Sequence, residues 1–115
     1  RMIEVRGDEG DFNDIDTSGI THMSMLFYSN RKFNGDITGW DVSSVESMYL
    51  MFYCALSFNQ PIGNWNVSNV KVMEGMFEGA ISFNQDLSKW DLKGKGKSKI
   101  FYNCPIKKKY KPKMK

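Results

Sequence analysis

The sequence predicts an α/β solenoid of about four coils, in which each coil contains a short parallel strand followed by a helix. The first observation behind this is self-similarity at a fixed spacing of 25 residues, which is typical of stacked repeat proteins. The second is that each repeat has two halves with different hydrophobic periodicity. The recurring positions are Phe33, Phe58 and Phe83, then Asn34, Asn59 and Asn84, then Trp40, Trp65 and Trp90.

The first half of each repeat has the pattern of a strand. Trp40 and Val42 flank the polar Asp41, which is the alternation expected of a strand with one buried face. In the second half, apolar residues recur at steps of three or four, as on one face of a helix. They are Val45, Met48, Met51, Phe52 and Ala55. An all-β solenoid is the competing architecture, because 25 residues could also wind one turn of a β-helix.

Stacked coils place equivalent side chains above one another, so the recurring residues predict columns. The tryptophan and phenylalanine columns would point inward and supply most of the buried apolar area, since one aromatic ring buries about 150–250 Å². The asparagine column would form a ladder in which side-chain amides bond to the backbone of the adjacent turn. Both kinds of column are predicted to be structural.

The chain divides into three parts. Residues 1–14 are predicted to be the remnant of an N-terminal cap, residues 15–92 the repeat solenoid, and residues 93–115 a degenerate last repeat with a basic C-terminal cap. The Lys-Gly run in residues 93–99 is expected to be a mobile loop, because glycine and lysine there cannot pack on a core. No apolar run reaches the length of a membrane-spanning helix.

Charge is distributed unevenly along the chain. Residues 1–92 hold 6 basic and all 13 acidic residues, a net charge of −7, whereas residues 93–115 hold ten lysines and no acid. An acidic body with a basic tail suggests that the tail contacts an anionic surface or docks on the body. Nucleic acid is not expected as a partner, because no recognised nucleic-acid fold is present.

One polar stripe is predicted to contact a ligand. Its residues share the outward phase of the predicted strands: Asp16, Asp41, Asn66 and Asp91. On stacked strands they would form an acidic column on the sheet face, the surface that repeat proteins commonly use for binding. The structural alternative is that exposed strand positions are simply polar.

Other motifs give weak signals. No catalytic, metal-binding or cofactor constellation is predicted. Arg6-Gly7-Asp8 is the tripeptide that some integrins recognise, but three residues recur by chance. Cys54 and Cys104 lie 50 residues apart, two periods, so we expect the same phase on non-adjacent coils and two free thiols.

The repeat resembles that of the BspA-like bacterial surface proteins, which are also abundant among mycoplasma lipoproteins. The resemblance is carried by residues 58–70, with the sequence Phe-Asn-Gln-Pro-Ile-Gly-Asn-Trp-Asn-Val-Ser-Asn-Val, followed by Met73, Met76, Phe77 and Ala80. It implies a right-handed, leucine-rich-repeat-like solenoid displayed on the cell or secreted, with a role in adhesion and no catalytic residues. We therefore expect a non-enzymatic protein that binds a host or bacterial surface protein or polysaccharide. The alternative is a structural spacer, or one section of a larger repeat array without a ligand of its own.

Overall fold

The structure, a computed structural model, describes residues 2–114. Helix α1 spans Met2–Arg6 and a 3₁₀ helix spans Lys108–Tyr110. Strand pairing in the described part of the chain consists of isolated parallel bridges and forms no sheet. The predicted strand and helix in every coil are therefore wrong, and so is the α/β leucine-rich-repeat-like solenoid. The chain instead forms four irregular repeats that lie against one another, residues 8–32, 33–57, 58–82 and 83–106.

The segments predicted to be helices are runs of consecutive tight turns, here called turn ribbons. They comprise residues 23–30, 48–55, 73–80 and 97–104. Within the second ribbon, Met51 N donates to Met48 O at 3.1 Å, which closes a turn. Alternate residues donate forward to the next repeat instead, Met48 N to Val72 O at 2.9 Å and Leu50 N to Glu74 O at 3.0 Å. Each ribbon is thus held by its neighbour rather than by an internal helical ladder.

Left-handed backbone angles explain why no helix forms. Leu50 and Cys54 both have φ of 52°, and the equivalent Gly75 and Gly79 have φ of 61° and 74°. A right-handed helix requires negative φ at every residue. Consecutive four-residue turns return side chains to one face at nearly the helical spacing, so the apolar pattern predicted the buried face correctly but the wrong backbone.

The predicted strands are also turns. Trp40 N donates to Ile37 O at 3.1 Å and Val45 N donates to Val42 O at 3.0 Å, so the backbone between them turns twice. The Trp-Asp-Val alternation reflects one exposed residue between two that face inward. The parallel bridges that link successive ribbons form where each ribbon begins, at His22, Ser47, Val72 and Gly96. Two further bridges join Asp11 to Asp36 and Asp91 to Lys113.

Two stacked columns of phenylalanine rings fill the core. One contains Phe27, Phe52, Phe77 and Phe101, and the other contains Phe33, Phe58 and Phe83. Neighbouring ring centroids are 5.4–5.7 Å apart in the first column and 5.9–6.0 Å apart in the second. The columns also touch, because Phe52 and Phe58 lie only 4.1 Å apart with nearly parallel planes. Ring stacking therefore connects every repeat to the next.

The last repeat is one residue shorter than the others. Cys54 N donates to Glu78 O, 24 residues ahead, whereas Gly79 N donates to Tyr102 O, only 23 residues ahead. Cys104 therefore does not share the phase of Cys54, and that part of the prediction is wrong. Both thiols are free.

Residues 93–99 continue the stack instead of forming the expected mobile loop. Met73 N donates to Gly96 O at 2.7 Å, and Gly96 N donates to Lys71 O at 2.9 Å. Glycine is tolerated here because the segment is held by backbone pairing and needs no buried side chain.

Candidate functional site

The predicted ligand stripe lies on the surface as a series of tight turns. Its members Asp16, Asp41, Asn66 and Asp91 are all exposed. Each accepts a hydrogen bond from the backbone N–H two residues further on, at 2.9–3.1 Å. Serine hydroxyls at positions 18, 43 and 68 add a second bond, but Lys93 replaces the serine after Asp91. The stripe therefore stabilises turns, whatever else it contacts.

Two of these carboxylates are held in the charged form. The Ser18 hydroxyl, followed by the Ser18 backbone N–H, holds the pKa of Asp16 below its ordinary value. Ser43 lowers the pKa of Asp41 in the same way. Hydrogen bonds to a carboxylate favour its ionised form. The stripe is thus acidic over the first two repeats.

A polar groove of about 520 Å³ lies where the third repeat meets the fourth. The last two stripe residues line it together with residues that the stripe prediction did not include. Its polar side chains are Asn64, Asn66, Ser68, Lys89, Asp91, Lys93 and Lys95. Three lysines against one aspartate make the groove basic, on a body that is otherwise acidic. It is the candidate binding site.

One of the three lysines is built into the scaffold. The Lys95 ammonium donates to Ser68 O at 3.2 Å and to Val70 O. Burial lowers the pKa of Lys95, while the charge of Asp91 acts in the opposite direction. Lys95 thus supports the groove wall by satisfying carbonyl groups of the third repeat.

The other two lysines are more available to a ligand. Lys89 Nζ lies 3.5 Å from Asn64 Oδ1, which is a weak contact. The Lys93 side chain makes no hydrogen bond or ion pair with the described residues. Both residues are exposed. A ligand can therefore meet two ammonium groups without breaking strong internal bonds.

One tryptophan of the groove lacks the side-chain hydrogen bond that the equivalent tryptophans make. Trp40 Nε1 donates to Phe12 O at 3.0 Å, and Trp65 Nε1 donates to Ile37 O at 3.2 Å. Trp90 also lines the groove and is only 2% exposed, yet its Nε1 has no partner among the described residues. Buried N–H groups are nearly always paired. The regular side-chain bonding between repeats is therefore interrupted at the groove.

The asparagine residues form hydrogen bonds between repeats. Asn34 Oδ1 accepts from Asn59 N at 2.8 Å, and Asn59 Oδ1 accepts from Asn84 N at 2.9 Å. Asn84 Oδ1 accepts from Lys107 N at 2.9 Å, which extends the series to the C-terminal segment. These side chains serve the scaffold and lie outside the groove lining.

The lysine-rich tail packs on the last repeat. Leu87 N donates to Tyr110 O and Leu92 N donates to Lys113 O, each at 2.8 Å. The ammonium groups of Lys107 and Lys109 lie 5.7 and 5.5 Å from the centroid of the Tyr110 ring. The tail backbone is fixed while its charged groups face solvent, so it covers the end of the core and remains a basic surface.

The Arg6-Gly7-Asp8 tripeptide takes part in the N-terminal packing. The Arg6 guanidinium pairs with Asp14, and Asp8 O accepts from Asn34 N at 2.7 Å. Arg6 is therefore engaged within the chain.

Sequence reasoning missed the groove because it joins segments 63–68 and 89–95, which belong to two successive repeats. One signal was present: Lys93 occupies the place of a serine that follows the other three stripe residues. Within residues 2–114, no helix has the length and apolar character to cross a membrane. The same residues contain no group of three or more His, Cys, Asp or Glu side chains placed to hold a metal ion.

Stacked irregular repeats with a polar groove near one end define a repeat protein. The chain matches the family described as Mycoplasma protein of unknown function, DUF285, over residues 2–112, and it belongs to that family. No curated protein and no solved structure matches it.

Proposed function

We propose that this chain is a non-enzymatic binding module, similar to the BspA-like proteins, that is displayed on the cell surface or secreted and acts in adhesion. Its partner is an acidic polysaccharide held in the groove between the third and fourth repeats. The observation that supports this is the convergence of Lys89 and Lys93 with Asn66 and Asp91 around one open groove.

Groove chemistry favours a sugar polymer over a protein partner. Protein interfaces usually depend on exposed aromatic or arginine anchors. Here the two groove tryptophans, Trp65 and Trp90, are only 5% and 2% exposed, so they offer little ring surface. Amide, hydroxyl and ammonium groups remain, which suit sugar hydroxyls and carboxylate or sulfate groups.

A non-enzymatic role is consistent with the same side chains. Asp91 is the one carboxylate of the groove lining, and its Oδ1 already accepts a bond from Lys93 N at 3.0 Å. Glycoside hydrolysis generally uses a second carboxyl group opposite the first. The groove lining has lysines beside Asp91 instead, and these fit charge recognition.

The test is binding of the intact chain to an immobilised acidic polysaccharide, such as a uronic-acid polymer, with its neutral analogue alongside. Lys89→Gln with Lys93→Gln should weaken binding at least about tenfold, through loss of two charge-assisted contacts. Lys108→Gln with Lys113→Gln removes the same charge from the tail and should have a much smaller effect. Rising salt should weaken binding by the intact chain.

Three results would count against the proposal. Equal loss in both double variants would assign binding to overall charge. Equal binding of the neutral polymer would exclude charge recognition. Binding of an acidic peptide but of no polysaccharide would identify a protein ligand.

A structural spacer is the second candidate. It is supported by the regular bonding between repeats, in which identical backbone contacts recur from one repeat to the next. A chain that binds none of the polymers or peptides would favour this role.

A further inference from the structure

The outer face of the turn ribbons carries exposed aromatic rings, which the groove lacks. Tyr49 is 42% exposed although the second ribbon, on which it lies, is bonded to a ribbon on each side. Tyr53 lies four residues further along the same ribbon and is half-buried, and its ring stacks on that of Tyr28 with centroids 4.9 Å apart. Tyrosine is among the residues on which protein interfaces most depend. The ribbon face therefore suits a protein partner better than the groove does.

The third ribbon has carboxylates where the second has these tyrosines. Glu74 and Glu78 follow Tyr49 and Tyr53 by one period of 25 residues. The one ion pair within residues 2–114 lies near the N-terminus and includes neither glutamate. Both carboxylates are therefore available to pair with a cation from another molecule.

Gly75 brings an apolar group next to one of these carboxylates. A Cβ atom at Gly75 would lie 2.4 Å from Leu50 Cδ2 and 3.2 Å from Glu78 Oε1. The Leu50 methyl group and the Glu78 carboxylate therefore lie side by side over the glycine. A lysine or arginine side chain matches this pair, because its methylene groups are apolar and its end is charged.

The fourth ribbon shows a related contact within the chain. Lys99 takes the place of Gly75 there, and its ammonium lies 5.5 Å from the centroid of the Tyr102 ring. A cation at this distance from an aromatic ring is attracted to it. Tyr102 takes the place that Tyr53 and Glu78 have on the second and third ribbons. A basic side chain from a partner would thus meet this ribbon position as Lys99 does.

We propose that the tyrosine–glutamate face, formed by Tyr49, Tyr53, Glu74 and Glu78, binds an arginine- or lysine-rich segment of a partner protein. The cations of that segment pair with the carboxylates and lie over the tyrosine rings. Charge complementarity supports a basic partner, because residues 1–92 contain 13 acidic and 6 basic residues. The face is separate from the basic groove, so the two surfaces select ligands of opposite charge.

A labelled peptide of alternating arginine and glycine tests this proposal, with binding to the intact chain measured by fluorescence anisotropy. The same peptide with citrulline in place of arginine has nearly the same shape but no charge. It should bind at least about tenfold more weakly, because the charge-assisted contacts are lost. Rising salt should weaken binding of the arginine peptide.

Two pairs of glutamates separate the proposed face from overall charge. Glu74→Gln with Glu78→Gln should weaken binding of the arginine peptide about five- to tenfold, because two ion pairs with the ligand are lost. Glu4→Gln with Glu9→Gln is the matched control, since it removes the same charge from two exposed residues of the N-terminal segment. It should leave binding nearly unchanged.

Tyr49 tests the contribution of a ring. Tyr49→Ser should weaken binding about threefold through loss of the cation–π contact, whereas Tyr49→Phe keeps the ring and should bind as the intact chain does. Tyr102→Ser is the control, because Tyr102 is exposed but lies on the fourth ribbon, outside the proposed face. Thermal unfolding checks that every variant is folded.

The groove variant, Lys89→Gln with Lys93→Gln, should bind the arginine peptide as the intact chain does, so the two proposals fail separately. No binding of the arginine peptide at about 1 mM would overturn the proposal. Equal binding of the citrulline peptide, or equal loss in both glutamate pairs, would also overturn it. Binding of a neutral sugar polymer that Tyr49→Ser abolishes would assign the face to a polysaccharide instead.

Discussion

The junction between the second and third repeats and the junction between the third and fourth share a backbone ladder but differ in their side chains. At the earlier junction the Trp40 and Trp65 rings are 6.5 Å apart and nearly parallel, and Trp65 Nε1 is bonded to Ile37 O. At the later one the Trp90 nitrogen is unpaired and a polar groove opens.

The difference shows which contacts between repeats are constant and which vary. The ring column passes the shortened repeat with little change, since Phe77 and Phe101 are 5.7 Å apart and Phe52 and Phe77 are 5.4 Å apart. Trp90 lacks the regular side-chain bond, and three lysines line the groove beside it. The ring column is therefore the regular part of this junction, and the surface around Trp90 is the variable part.

The largest expected effect comes from breaking the regular junction. Trp65→Ala should lower the free energy of unfolding by about 3–5 kcal/mol, because the ring is buried and its loss leaves a cavity. Trp40→Ala, at a half-buried ring of the same column, is the control and should cost less. Denaturant unfolding measures both, and a loss below about 1 kcal/mol for Trp65→Ala would contradict burial of that ring.

The second-largest expected effect comes from left-handed positions in the turn ribbons. Gly75→Ala should destabilise by about 1–2 kcal/mol, because φ is 61° and the new Cβ would lie 2.4 Å from Leu50 Cδ2. Lys99 occupies the same phase in the last ribbon with φ of 59°, so Lys99→Gly should stabilise by up to about 1 kcal/mol. Thermal unfolding of the pair checks the sign, and stabilisation by Gly75→Ala would argue against the left-handed backbone.

A smaller effect isolates the missing tryptophan bond. Trp65→Phe removes a hydrogen bond and ring area, whereas Trp90→Phe removes area alone. The first substitution should cost about 1 kcal/mol more than the second in denaturant unfolding. Equal costs would mean that Trp90 Nε1 is satisfied in solution, for example by water in the groove.

The smallest effect is the pH dependence that the stripe carboxylates of the first two repeats contribute. The pKa values of Asp16 and Asp41 are lowered in the folded chain, so their contribution is present above the unfolded pKa and is lost as pH falls below about 4. Asp41→Asn keeps the turn hydrogen bond, as Asn66 does in the third repeat. It should remove the contribution of the Asp41 carboxylate to the pH dependence of stability. Unfolding curves at several acidic pH values compare the unsubstituted chain with Asp41→Asn. If the free energy of unfolding depends on pH equally in both, Asp41 does not contribute to the dependence.

The repeat spacing and the recurring aromatic and asparagine positions could be read from the sequence because each depends on residue identity. The backbone could not, because Val45, Met48 and Phe52 have the same apolar spacing in a helix and in a turn ribbon. Left-handed φ is the distinguishing feature, and it is visible at Gly75 but hidden where Leu50 adopts it.

The candidate site was predictable only in part. Asn66 and Asp91 were placed on the surface by their phase, and both line the groove. Lys89 and Lys93 were outside the stripe, because neither has the phase of the stripe residues, and the equivalent positions of the third repeat are Asn64 and Ser68. The residue that is missing from the last repeat misplaced Cys104 relative to Cys54.

The forward bonding of alternate ribbon residues has a consequence for how the chain reaches its native state. Leu50 N finds its acceptor 24 residues ahead, so a single repeat has little to gain by ordering alone. The entropy of closing a long loop must be lost before the first ladder bonds and ring contacts form. Folding should therefore begin with two adjacent repeats meeting and then extend one repeat at a time, with the slow step at the first pair.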